Sequence, residues 1–255
     1  MLTLFVCCVA TFIAGVVDSI AGGGGLITTP AMLLVGIPPH AMLGTNKFAT
    51  SLGTGLALVN FARNNLVLWR IAGLGVFFAL LGAYGGAELA LHIDSAAMGK
   101  VVVALLPVGL VFTMMPKKER PDGGVQVTGW AYWCFVPLVS LLVGVYDGFF
   151  GPGTGSIFIL AFHWILGMGL IRASATAKVF NLASNIGALV GFLWSGQVLF
   201  ALAIPMAVCN MAGNWLGSRL AIAKGSNLVR HILTVTLSLL IATLVWRYFL
   251  SSGAA

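Results

Sequence analysis

Apolar runs of about twenty residues, separated by short polar or glycine-rich breaks, follow one another along almost the whole chain. Read by these runs and their breakers, the chain falls into two series of five helical elements, A to E. The first series is predicted at Leu2–Ala21, Leu26–Gly36, Ala41–Phe61, Val67–Leu91 and Ser95–Met115. The second is predicted at Val127–Phe150, Ser156–Leu166, Leu170–Trp194, Val198–Ala223 and Ser226–Leu250. Most of these runs match the roughly 20 apolar residues a helix needs to cross the hydrocarbon core, whereas element B, at about eleven, is too short to span unaided.

The two series carry the same landmarks. GVVD, ending at Asp18, aligns with GVYD, ending at Asp147, at an offset of about 129 residues, and past one small insertion the offset settles near 131. Thr45 and Lys47 then fall on Thr176 and Lys178, NNLVLW from Asn64 on SGQVLF from Ser195, and LLGAYGGAELA from Leu80 on MAGNWLGSRLA from Met211. This divides the chain into a first transmembrane repeat at 1–115, a linker at 116–124 and a second repeat at 125–255.

Composition narrows the class. Of 255 residues, 60% are hydrophobic and 7% charged, which leaves no material for an extramembrane domain. The predicted fold is an all-α polytopic membrane protein with eight to ten membrane segments, and its 33 glycines point to close helix packing and broken helices. Cys7, Cys8, Cys134 and Cys209 lie in apolar stretches without metal-ligand spacing and read as packing residues. The first run lacks a basic start and leads directly into a repeat motif, so it reads as a retained helix rather than a cleaved signal.

The 13 Lys and Arg against 6 Asp and Glu are scattered between apolar runs, as positive-inside anchoring requires, and do not form a nucleic-acid surface. Lys117, Lys118 and Arg120 on the linker, with Arg63 and Arg70 flanking the first C/D turn, place both segments in the cytoplasm. In the second half the C/D turn SGQ is uncharged, and the basic residues Arg219, Lys224 and Arg230 mark the D/E turn instead. Such a switch is expected of inverted repeats, each with an odd number of crossings, and puts both termini in the periplasm. A parallel four-plus-four arrangement also fits the hydropathy, because element B can be re-entrant or spanning.

Candidate chemistry gathers at the breaks. AGGGGLITTP, from Ala21, and GPGTGS, from Gly151, interrupt apolar sequence just before element B, whose N-terminus favours an anion. Gly24, Gly25, Gly153, Thr154 and Gly155 are therefore candidate binding residues, although close packing alone also explains the glycines. Lys47 and Lys178 are cations inside apolar sequence, costly unless functional, though snorkelling to an interface also accommodates them. Their neighbours Thr45, Asn46 and Thr176, with Asn181 and Asn185 three and seven residues past Lys178, can donate to the same ligand. Asp18 and Asp147 can pair with Lys, cap element B or carry a coupling proton. Arg172 can reach the same cavity or anchor an interface.

His40, His92, His163 and His231 have no metal spacing, and Trp69, Trp130, Trp133, Trp164, Trp194 and Trp246 lie near run ends as belt aromatics do. Neither a nucleophile elbow nor an HExxH pair occurs, so no catalytic residue, metal or cofactor is assigned and an enzyme is not expected.

GVVDSIAGGGGLITTPAMLLVGIPPHAMLGTNK and its partner GVYDGFFGPGTGSIFILAFHWILGMGLIRASATAKVFNLASN closely resemble the TauE/SafE family of sulfite-exporter-like permeases, also called TSUP. The resemblance covers nearly the whole chain. It implies transport across the bacterial inner membrane of a sulfur-containing anion such as sulfite, thiosulfate, sulfoacetate or another organosulfonate. The expected partners are that anion, the lipid bilayer and a proton or counter-ion. Two other readings stand beside a carrier: an anion channel, and an accessory membrane subunit without transport activity.

Overall fold

The computed structural model describes residues 1–115, 129 and 131–224. Nine α-helices are present among them: α1 (Leu2–Ala21), α2 (Gly25–Leu34), α3 (Pro39–Arg63), α4 (Trp69–Leu91), α5 (Ser95–Met114), α6 (Val136–Phe149), α7 (Thr154–Trp164), α8 (Leu170–Trp194) and α9 (Phe200–Lys224), with a π-helical turn at Ala131–Phe135 leading into α6. Elements A and E of the first series and C of the second match their predicted bounds to within a residue. Of the predicted second-half element A, the π-helical turn runs directly into α6, and Val127 and Thr128 lie outside the described residues. The predicted linker at 116–124, the element Ser226–Leu250, and Trp130, Arg230, His231 and Trp246 lie outside the described residues.

Six described helical segments are long and apolar enough to cross a membrane: Leu2–Ala21, Trp69–Leu91, Ser95–Met114, Tyr132–Phe149, Leu170–Trp194 and Phe200–Ala223. The chain is thus an all-α multi-pass membrane protein. Helix α3 equals α8 in length at 25 residues but is less apolar, and both helices bury polar side chains, Thr45, Asn46, Lys47, Ser51 and Thr54 on α3 among them. Helices α2 and α7, at 10 and 11 residues, rise only about 15 Å and reach halfway through a bilayer core.

Helix directions follow from the contacts. Going up α3, Gly44 faces Gln197, Gly53 faces Asn210, and Asn60 bonds Ser218, so α9 runs parallel to α3. Phe12 and Val16 of α1 meet Gly213 and Gly217, so α1 runs the same way. In the other trio, Ala79 and Ala83 of α4 meet Gly144 and Gly148 of α6, while Gly75 and Leu80 meet Phe180 and Gly187 of α8. The trios are antiparallel, since the start of α3 at Gly44 touches Phe192 near the end of α8. Elements that match in sequence therefore run in opposite senses, and each trio joins elements A and C of one half to element D of the other.

This arrangement sorts the charges by end. Arg63 closes α3, Arg70 opens α4, Arg172 opens α8 and Arg219 lies in the last turns of α9, all at one end of the bundle. His40 at the start of α3 bonds the Ala90 carbonyl at 3.0 Å, which puts Glu88, Asp94 and Lys100 at the opposite end. Trp69, Trp133, Trp164 and Trp194 are exposed on the outer surface near helix ends.

Candidate functional site

Helix α1 stops at Gly22, which takes a left-handed conformation at φ 80° that a side chain disfavours. Helix α6 ends at Phe149 and is followed by Gly151 and Gly153, at φ 92° and 88°. The two breaks cross. Ser156 donates its backbone N–H to the Gly22 carbonyl at 3.2 Å and its hydroxyl to the Ala21 carbonyl at 2.5 Å. A Cβ on Gly155 would lie 2.7 Å from Gly22 Cα, one on Gly153 2.8 Å from Gly109 Cα, and one on Gly24 2.7 Å from the Ala14 carbonyl oxygen. These glycines are required by close backbone packing, and that packing brings the N-terminal ends of α2 and α7 together.

A cavity of about 30 Å³ lies at the crossing. Its walls include Asp18, Gly24, Gly25, Asn46, Lys47, Asp147, Gly153, Thr154, Gly155, Asn181 and Asn185. Room of this size admits a water molecule or two. A polyatomic anion would need the surrounding helices to part.

The buried charges pair across the two halves. Lys47 Nζ of α3 lies 2.7 Å from Asp147 Oδ2 of α6, and Lys178 Nζ of α8 lies 2.5 Å from Asp18 Oδ2 of α1. The equivalent pairs differ in kind. Lys178 also donates to the Asp18 carbonyl at 2.6 Å, the same oxygen that accepts Gly22 N–H, so it caps the broken end of α1. A cation there is favoured by the carbonyls of a helix C-terminus. Lys47 instead donates to Asn185 Oδ1 at 3.1 Å and pairs with the Asp147 carboxylate, without reaching a helix-end carbonyl. Asn46 Oδ1 and Thr54 Oγ1, also on the cavity wall, have no hydrogen-bond partner.

Three residues expected at the ligand are placed elsewhere. Lys178 is 1% exposed and does not line the cavity. Thr45 and Thr176 do not line it either. The Thr45 hydroxyl accepts Leu199 N–H at 3.0 Å and the Thr176 hydroxyl accepts Leu68 N–H at 3.1 Å, each satisfying a donor at the start of the other half's element D. Thr154 lines the wall, but its hydroxyl is turned onto the Gly151 carbonyl at 2.6 Å.

Gly22 and Gly151, from the two glycine-rich breaks, also line the cavity, as do Ala14, Thr50, Thr54 and Asn210, which the sequence reading does not single out. The polar ones had a signal: Asn46, Thr50 and Thr54 recur every fourth residue on one face of α3. Asn210 is polar at a position where the matched residue of the first half is Ala79.

Comparison with known proteins agrees with this picture over most of the chain. The family model described as "Sulfite exporter TauE/SafE" matches residues 7–244. A probable membrane transporter protein of a Sinorhizobium species is 40% identical over 232 residues, covering 89% of this chain and 86% of the relative. One from Haemophilus influenzae is 39% identical, covering 92% and 91%, and the probable membrane transporter protein YfcA of Escherichia coli is 35% identical, covering 92% and 86%. No solved structure matches. A family match of this extent, on a helical bundle whose two broken helices meet at a buried polar cavity, makes the chain a member of the sulfite exporter TauE/SafE family of membrane transporters.

Proposed function

We propose that this protein is a secondary carrier that moves a small sulfur-containing anion, such as sulfite, thiosulfate or an organosulfonate like sulfoacetate, across the bacterial inner membrane. The observation that carries the reading is Lys47. Its ammonium sits on the cavity wall of a buried site, held by one carboxylate and one amide. It is flanked by the N-terminal ends of two short helices, which attract negative charge. The name of the matching family, a sulfite exporter, favours a sulfur oxyanion. An α-helical bundle suits an inner membrane, where spanning proteins satisfy their backbone within helices rather than in a closed barrel.

Charge balance gives the carrier its coupling. Two lysines and two aspartates make the buried cluster neutral, so an incoming anion adds an uncompensated charge at low dielectric, where such charges are costly. The anion competes with Asp147 for Lys47, and a proton taken by the displaced Asp147 keeps the site neutral. Binding is then accompanied by alkalinisation of a weakly buffered protein sample, and a flat pH trace on binding removes the proton from the mechanism.

In the bilayer the end carrying Arg63, Arg70, Arg172 and Arg219 faces the cytoplasm and the N-terminus faces the periplasm. Labelling of a cysteine at Leu2 from the cytoplasmic side alone would reverse this orientation. For the substrate, purified protein is screened by thermal unfolding against sulfite, thiosulfate, sulfoacetate, taurine and carboxylate controls. A native-state ligand at a hundred times its Kd adds about 2.7 kcal/mol. At least one sulfur oxyanion is expected to raise the unfolding temperature more than any carboxylate, and a larger rise with a carboxylate sinks the sulfur assignment.

A further inference from the structure

The two trios of helices share a packed seam and fill it differently. In the trio α4, α6 and α8, the face of α4 that meets α6 carries Ala79, Ala83 and Ala87, all 0% exposed, against Gly144 and Gly148. The matched positions of α9, at the offset of about 131, are Asn210, Asn214 and Ser218, which are 1%, 1% and 0% exposed. They face Gly15, Ser19 and Gly53. Alanine fills this column in one half, so the backbone packing does not itself call for polar side chains there.

The polar column is continuous. Asn210 lines the cavity and donates to the Thr11 carbonyl at 3.1 Å. Asn214 donates to Asn210 Oδ1 at 2.9 Å and accepts the Ser19 hydroxyl at 2.7 Å. Ser218 accepts from Asn60 at 2.8 Å, and Asn64, one turn on, is exposed beside Arg63. The column rises about 12 Å along α9, from the cavity toward the basic end. Two fully buried hydroxyls on its walls, Thr11 Oγ1 and Thr54 Oγ1, have no hydrogen-bond partner, as expected of groups that are wetted in another arrangement of the helices.

We infer that the α1–α3–α9 seam is the passage by which the small anion travels between the cavity and the basic end of the molecule, with Asn210, Asn214 and Ser218 as its polar wall. The inference rests on the reading of the protein as an anion carrier. When α9 parts from α1 and α3, the exposed surface offers amide and hydroxyl donors instead of bare hydrocarbon. The matched column of α4, filled by Ala79, Ala83 and Ala87, offers no such donors and stays dry.

Water access separates this from interhelical bonding alone, and it does so without reference to any substrate. Single cysteines are placed at Asn214 and Ser218 and at the matched Ala83 and Ala87, in a background lacking Cys7, Cys8, Cys134 and Cys209. A small charged methanethiosulfonate is given access to both sides of the membrane. The variants at Asn214 and Ser218 are expected to react at least about tenfold faster than those at Ala83 and Ala87. Equal rates, or protection of Asn214→Cys and Ser218→Cys, overturn the passage. A second variant guards against loss of fold: Asn214→Ala and Ser218→Ala together copy the apolar half and are expected to stay folded. Collapse of that variant makes the column a structural bond and overturns the inference. If the seam labels while no sulfur anion shifts thermal unfolding, the substrate reading fails and the wetted seam stands.

Discussion

Anion affinity is expected to fall about a hundredfold in Lys47→Met, the equivalent of about 2.8 kcal/mol, as a charge-assisted contact to the ligand is lost. Lys178→Met is expected to act through folding instead. Both lysines belong to buried pairs, with side chains 4% and 2% exposed, and removing one partner of such a pair costs about 3–5 kcal/mol because the other charge is stranded. Single variants of either lysine therefore lose folded protein. Neutral pairs separate the roles. Lys47→Met with Asp147→Asn regains folding and keeps the loss of affinity, whereas Lys178→Met with Asp18→Asn regains both. Thr45→Val serves as a control. It deprives Leu199 N–H of its acceptor at a cost of about 1–3 kcal/mol, lowering the unfolding temperature without changing affinity. Isothermal titration in detergent reads the affinities. Loss of binding in the Lys178 and Asp18 pair as complete as in the Lys47 and Asp147 pair would return the ligand to both lysines.

The sequence shows the elements and the special residues more clearly than their partners. Helix α1 ends where glycine density rises, and α8 starts where the break GMG precedes a long run, so local breakers are enough to bound them. Lys47, Lys178, Asp18 and Asp147 stand out because a charge in apolar sequence is rare. Their pairing is a tertiary fact. Each lysine meets the aspartate of the other half because the halves interleave, with element D of each packed into the other's trio. The same interleaving sends Thr45 and Thr176 to the starts of α9 and α4 rather than to the cavity. The two lysines also differ in surroundings although their sequence neighbourhoods match. Lys178 reaches the carbonyl end of α1, whereas Lys47 has Asn185 and the cavity beside it.

Gly22 and Gly36 offer a test of what holds the crossed breaks together. Both have left-handed backbone, at φ 80° and 82°, so replacing either with alanine costs about 1–2 kcal/mol in conformation alone. Beyond the backbone they differ. A Cβ on Gly36 has nothing within 4 Å, whereas one on Gly22 would stand 2.3 Å from Gly155 C and 2.4 Å from Ser156 N. Those atoms belong to the first turn of α7 and cannot rotate aside as a side chain could. To admit a methyl group, the two broken helices must separate, which breaks the Ser156 N–H bond to the Gly22 carbonyl and misplaces the N-terminal ends that line the cavity. Gly36→Ala is expected to lower the unfolding temperature by a few degrees, about 2–4 °C per kcal/mol for a chain of this size, with anion binding intact. Gly22→Ala is expected to lose binding entirely and most of the folded protein with it, as overpacking against rigid backbone exceeds what local relaxation absorbs. Size-exclusion recovery, thermal unfolding and anion titration of the two variants check this together. Similar, small losses in both would mean that the crossing yields easily, so that the cavity owes its shape to the ion pairs rather than to the contact between the breaks.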